Sequence, residues 1–139
     1  MNAAPVGGAP SRIAETATLL VVEDDVLTRS AVCDALRYHR YKVLEASSAQ
    51  EALAILSILP VELVFVDLHL PGEGDGLSVA RFAQAHCPDT RVILTSGKVR
   101  AATITDLPEL GSFVGKPYLI SRVLEMIRRT LDPPGEGDS

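Results

Sequence analysis

Val61-Glu62-Leu63-Val64-Phe65-Val66-Asp67 is a β-branched, apolar run that ends on a single carboxylate. Leu68-His69-Leu70 follows it, and Pro71-Gly72-Glu73-Gly74-Asp75-Gly76 then breaks any regular structure. A continuous apolar run of this length predicts a strand buried on both faces, and so a parallel sheet covered by helices. In open α/β sheets, ligands gather in the crevice beyond the carboxyl ends of the strands. An Asp at that point is a candidate reactive carboxylate, although an isolated Asp more often caps its own turn. The other strands have to decide.

Working outward, Thr18-Leu19-Leu20-Val21-Val22 has the same buried-strand pattern and ends on Glu23-Asp24-Asp25. Helical spacing runs from 26 to about 39, with Asp25 placed to cap its first turn. Residues 41–46 read as a short strand. A helix over about 49–59 comes next, capped by Ser47 or Ser48, with Ser48 and Glu51 spaced as a capping box and Pro60 as the stop. Beyond the glycine loop, residues 77–86 are helical and Pro88 closes them. A fourth strand covers 91–95 and leads into Ser96-Gly97. Ser112-Phe113-Val114-Gly115 is a weaker fifth strand running into Lys116-Pro117, and a last helix spans about 119–131. Between them, Thr103, Ile104, Thr105 and Pro108 predict a short or irregular fourth helix within 98–110. Strands and helices alternate five times, the signature of a doubly wound α/β fold.

Composition sets the outer bounds. A chain of 139 residues fits one domain with a full core. Aromatics are only 4% within a hydrophobic fraction of 47%, so Ala, Val, Ile and Leu must build that core. Thirteen basic against eighteen acidic residues give a net charge of −5, which argues against direct nucleic-acid binding through a basic surface. Cys33 and Cys87 form no motif and read as small core side chains in a reducing, cytoplasmic protein. No apolar stretch reaches the roughly 18 residues that a membrane span needs, so no membrane insertion is expected. Residues 1–17 lack the pattern of a signal peptide and read as a flexible lead-in. The domain is expected over 18–131, with a flexible tail at 132–139.

In a parallel sheet the carboxyl ends of the strands meet at one edge. Glu23 and Asp24 end the first strand, Asp67 the third, Thr95 the fourth and Lys116 the fifth. At about 5 Å and an effective dielectric of about 20, each pair of carboxylates repels by roughly 3 kcal/mol. A divalent cation and a nearby ammonium relieve that repulsion, and hard oxygen ligands with room for water suit Mg²⁺. A carboxylate so placed can attack a phosphoryl group, while cations and a hydroxyl neutralise the transferring oxygens. Taken singly, each feature has a plainer explanation as a helix cap, a turn or a strand end. Their joint placement on successive strand ends favours the chemistry.

Leu20-Val21-Val22-Glu23-Asp24-Asp25, Val66-Asp67-Leu68-His69-Leu70-Pro71, Leu94-Thr95-Ser96-Gly97 and Phe113-Val114-Gly115-Lys116-Pro117-Tyr118 make the sequence resemble the receiver domain of two-component response regulators. The similarity covers roughly 19–131. It implies a flavodoxin-like sheet of five parallel strands, order 2-1-3-4-5, flanked by five helices. It also implies that Asp67 accepts a phosphoryl group from a histidine kinase or histidine phosphotransfer protein. Asp24, Asp67 and the backbone carbonyl of His69 would hold Mg²⁺, with Glu23 acting mainly through metal-bound water. Lys116 would bind the acyl phosphate, Thr95 would swing toward it, and Phe113 would couple the site to the surface of helix four, strand five and helix five.

Three departures from the family pattern stand out. The 71–76 loop is one residue longer than the commonest spacing. His69 and Gly97 occupy the positions that tune loss of the phosphoryl group, and the Pro108 segment replaces a regular fourth helix. The expectation is a stand-alone phosphoacceptor switch, regulatory rather than enzymatic, with no output domain in this chain. It would relay the phosphoryl group or change its binding to an unknown downstream protein. A Mg²⁺-dependent phosphohydrolase is the enzymatic rival, but such enzymes use a second acid two residues after the nucleophile, where this chain has His69. An unreactive interaction module is the other rival, and the complete set of Glu23, Asp24, Asp67, Thr95 and Lys116 opposes it.

Overall fold

Alternation along buried strands sorts the side chains into two cores. The computed structural model describes residues 17–72, 74–97 and 107–132. In it the third strand, β3 (Leu63–Asp67), is buried at all five positions. It lies between β1 (Thr18–Val22) and β4 (Arg91–Ser96), with β2 (Lys42–Ala46) and β5 (Ser112–Gly115) at the edges. The order is β2-β1-β3-β4-β5 and every pairing is parallel, as expected. Successive residues of a strand point to opposite faces. Leu20, Val22, Val64, Val66, Val92 and Leu94 therefore face one core, and Leu19, Val21, Leu63, Phe65 and Ile93 the other.

Helices α1 (Val26–Tyr38) and α5 (Ile120–Leu131) cover the second face through Val32, Cys33, Leu36, Val123, Ile127 and Leu131. Helices α2 (Ala49–Ile58) and α3 (Gly76–His86) cover the first, with Ala49, Ala52, Ala80 and Ala83 against the strands. Alanine at these contacts lets the helices sit close to a sheet already filled by branched side chains. Of the segment expected to hold a short or irregular fourth helix, the described residues show one turn, α4 (Leu107–Leu110), tied to α3 by Gln84 Nε2 donating to the Glu109 carbonyl at 3.1 Å. A Cβ on Gly111 would lie 2.3 Å from the Val92 carbonyl oxygen, so only glycine lets the chain turn from α4 into β5. The expectations for residues 1–16, 98–106 and 133–139 lie outside the described residues. No described helix is long and apolar enough to cross a membrane.

Local details refine the boundaries. Asp25 caps α1 as expected, accepting the Thr28 N–H at 2.8 Å. Ser48 caps α2 by accepting the Glu51 N–H at 3.1 Å, but the Glu51 carboxylate reaches back to the N–H of Ser47 rather than Ser48. The reciprocal capping box belongs instead to α3, between Asp75 and Ser78. β3 begins at Leu63, and just before it Glu62 ties to β1, its N–H donating to the Thr18 carbonyl at 2.9 Å and its carboxylate accepting the Thr18 N–H at 2.6 Å.

The turn from α1 to β2 carries one strained residue. Arg40 has φ +74°, a left-handed conformation that costs a non-glycine residue about 1 kcal/mol. The turn closes with Arg40 N–H on the Arg37 carbonyl and Tyr41 N–H on that of Leu36. Arg40→Gly removes the strain, partly offset by the greater freedom of glycine in the unfolded chain. It should raise stability by up to about 0.5 kcal/mol, read as a slightly higher Tm in thermal unfolding.

Candidate functional site

The carboxyl edge of the sheet gathers residues from four strand ends. Glu23 and Asp24 follow β1, Asp67 closes β3, Thr95 lies near the end of β4, and Lys116 follows β5. Asp67 and Thr95 are paired in register, and the Leu68 N–H donates to the Thr95 carbonyl at 2.8 Å. Lys116 is drawn in by its own N–H on the Ser96 carbonyl at 2.9 Å. Its ammonium donates to Asp67 Oδ2 at 2.6 Å and to Glu23 Oε1 at 3.0 Å.

The three consecutive acids after β1 do different jobs. Glu23 is 4% exposed, pairs with Lys116, and accepts the Asp25 N–H on its other oxygen at 3.1 Å. Asp25 caps α1, and its bonds from the Thr28 hydroxyl and N–H hold its carboxyl below the ordinary value. Asp24 is exposed, and its carboxylate makes no hydrogen bond or ion pair with a described residue. It is the open carboxylate of the group.

Carboxylate oxygens of Glu23, Asp24 and Asp67 lie within 4.8 Å of one another. Three carboxylates and one ammonium leave two negative charges, the complement of one divalent cation. The all-oxygen donor set fits a hard ion such as Mg²⁺. Burial pushes the Glu23 carboxyl above its ordinary value, and the Asp67 charge adds to that. The Asp25 N–H and Lys116 oppose the rise without reversing it. For Lys116, burial alone favours the neutral amine, but the bonds it donates to Asp67 and Glu23 outweigh it and the net shift is upward.

Asp67 is 4% exposed, and its Oδ1 accepts the His69 N–H at 2.9 Å. The glycine loop packs directly on this point. A Cβ on Gly76 would lie 2.0 Å from the Asp67 carbonyl oxygen, so only glycine lets α3 begin there. Thr95 is 1% exposed, and its hydroxyl is a buried side-chain oxygen without a hydrogen-bond partner. A buried unsatisfied hydroxyl costs about 1–3 kcal/mol and calls for an explanation. Thr95→Val replaces it with an apolar group of similar shape and should stabilise the unphosphorylated protein by about 1 kcal/mol in denaturant unfolding.

The remaining expected residue, Phe113, is half-buried, pairs in register with Leu94 and packs on the α2–α3 core. Two neighbours of the site, Tyr118 and Arg29, have no role assigned by the sequence alone. Tyr118 packs edge-on against Phe65 with ring centroids 5.7 Å apart, and burial pushes its phenol up to about 12. Arg29 of α1 donates to the Glu23 carbonyl at 2.8 Å. A bond from a side chain to a distant main-chain carbonyl leaves no mark in hydrophobic periodicity.

A family model described as the response regulator receiver domain matches residues 19–128. The chain belongs to this family. Among curated relatives, the regulatory protein VirG of Agrobacterium tumefaciens is 31% identical over 115 residues. That alignment covers 81% of this chain but 43% of VirG, so the chain spans less than half the length of this relative. A CheY-like receiver domain protein of Methanospirillum hungatei JF-1 superposes with a TM-score of 0.76 at 24% identity, over 84% of this chain and 94% of that one. The response regulator TrrA of Thermotoga maritima, solved in complex with Mg²⁺–BeF, gives 0.74 at 25% identity, over 83% and 99%. The resemblance drawn from the strand-end motifs is thus borne out across nearly the span it predicted. As a receiver domain the chain is a phosphoacceptor module of two-component signalling, and its acidic cluster is of a kind that can hold a metal ion.

Proposed function

We propose that Asp67 is the residue that accepts the phosphoryl group, from a histidine kinase or a histidine phosphotransfer protein. The observation that carries this reading is the pairing of Lys116 Nζ with Asp67 Oδ2 beside the unpartnered hydroxyl of Thr95. In the transfer, a carboxylate oxygen of Asp67 attacks phosphorus, an acyl phosphate bond forms and the phosphorus–nitrogen bond of the donor breaks. The bonding electron pair stays on the departing imidazole. Lys116 already lies against the carboxylate and neutralises charge on the incoming oxygens without reorganisation. Thr95 supplies the donor that those oxygens lack, which ends the isolation of its hydroxyl.

Asp24, Asp67 and the His69 backbone carbonyl would hold Mg²⁺, with Glu23 bonding to its water ligands. Bound there, the ion balances the carboxylates and the transferring oxygens. Phe113, beside β4, would follow Thr95 and alter the surface next to α4 and α5, which a downstream protein reads.

The test is incubation with acetyl phosphate, with Mg²⁺ or with EDTA, followed by intact mass and peptide mapping. A hydroxylamine-labile phosphoryl group on the Asp67 peptide, formed only with Mg²⁺, is the expected result. Steady release of phosphate from small esters would instead favour a hydrolase. A panel of histidine kinases, ranked by transfer rate, then identifies the donor.

A further inference from the structure

Glu23 is held at every polar atom. Its N–H donates to the Ala46 carbonyl at 3.1 Å, and its two carboxylate oxygens take Lys116 and the Asp25 N–H. Its carbonyl oxygen takes Nη1 of Arg29. Arg29 is itself gripped, since its Nε donates to Glu45 Oε1 on β2 at 3.0 Å and its side chain is only 18% exposed. The other oxygen of Glu45 is taken by Arg37 at 3.0 Å, and Arg37 also binds the Val43 carbonyl at 2.9 Å.

The Glu23 carbonyl and the Asp24 nitrogen belong to one planar peptide unit. Fixing that oxygen fixes the orientation of the plane from which the Asp24 side chain departs. Among the described residues Asp24 has no side-chain partner, so its aim depends on its backbone. A bare cation at Arg29 would also repel a metal ion, and Glu45, shared with Arg37, offsets part of that charge. The pair can therefore orient the loop with less opposition to the charge of the ion.

We infer that Arg29, clamped by Glu45, is the positioning residue that aims the Asp24 carboxylate at Mg²⁺. The inference rests on the proposed reading that the acidic cluster holds this ion. Loss of a partner behind a metal ligand typically weakens metal binding about 10–100-fold.

The experiment is calorimetric titration of the unphosphorylated full chain with MgCl₂. The Arg29→Ala/Glu45→Ala double variant leaves net charge unchanged, so a change in affinity reports position rather than charge. Its Kd for Mg²⁺ should rise about tenfold or more. Arg37→Ala loosens the same surface cluster without touching Glu23 and should bind Mg²⁺ as the wild type does. Arg29→Lys keeps the charge but cannot hold Glu23 and Glu45 together. It should weaken binding in the same direction, and it serves if the double variant melts below the assay temperature. An unchanged Kd in the double variant, or an equal loss in Arg37→Ala, overturns the inference while leaving the proposed function intact. A wild type that takes up no Mg²⁺ overturns both.

Discussion

The Asp67→Asn variant should acquire no phosphoryl group from acetyl phosphate and Mg²⁺, while staying folded. The chemical half follows from the nucleophile, because a neutral amide has no anionic oxygen to attack phosphorus. The structural half follows from the contacts. Asn keeps an oxygen for the His69 N–H, and Lys116 keeps Glu23 as its partner. The variant loses the short ion pair to Lys116, but it also removes repulsion from Glu23 and Asp24, which at about 5 Å is worth roughly 3 kcal/mol per pair. These effects oppose each other, so stability should stay within about 1 kcal/mol of wild type. Labile phosphate is measured by hydroxylamine release and stability by thermal unfolding. Phosphate remaining on the variant would place the acceptor elsewhere.

Lys116→Met should have the largest effect on stability among the site variants. Removing one partner of a fully buried pair costs about 3–5 kcal/mol, and partial exposure of the Lys116 side chain brings the expected loss nearer 2 kcal/mol. What remains is three carboxylates with no cation. Saturating Mg²⁺ should then stabilise the variant more than the wild type, with about 2.7 kcal/mol available at a hundredfold excess over Kd.

The pH dependence should shift to a lower window as well. Wild-type Lys116 has its folded value raised, so its contribution is fully present below the ordinary 10.5 and is lost as pH rises through the folded value. The variant lacks that alkaline loss. Its Glu23, already pushed above 4.5 by burial, loses the opposing ammonium and rises further. The folded state then binds the extra proton first, so stability should increase as pH falls from 7 toward 5. Melting curves across pH, with and without Mg²⁺, read both effects. A variant that melts like the wild type at every pH would show that Lys116 does not balance the cluster.

The sheet was legible because burial on two faces leaves unbroken apolar runs, and β3 is the clearest of them. Its terminal Asp67 gained meaning only from the other strand ends, since a parallel sheet must bring those ends together. The capping box at Asp75 and Ser78 is hidden in the sequence because it reverses the usual signature of a Ser or Thr cap with an acid three residues on. Arg40 gave no warning either, because a left-handed turn normally announces itself through glycine or asparagine. Contacts such as Glu62 with Thr18, or Arg29 with the Glu23 carbonyl, depend on which strands become neighbours. Periodicity reports that a face is buried, not what lies across from it.

The register of Thr95 has a mechanical consequence. Its main chain is laced into ladders on both sides, to β3 through Asp67 and to β5 through Val114. The Leu68 N–H adds a further tie just past Asp67. Neither strand can slide without breaking several bonds at once, so the backbone is a poor carrier of news from the carboxylate. The free coordinate is the twist of Thr95 about its Cα–Cβ bond, which has only a few staggered rest positions. With Thr95 as the proposed switch, a molecule built this way would pass on discrete clicks rather than graded displacements.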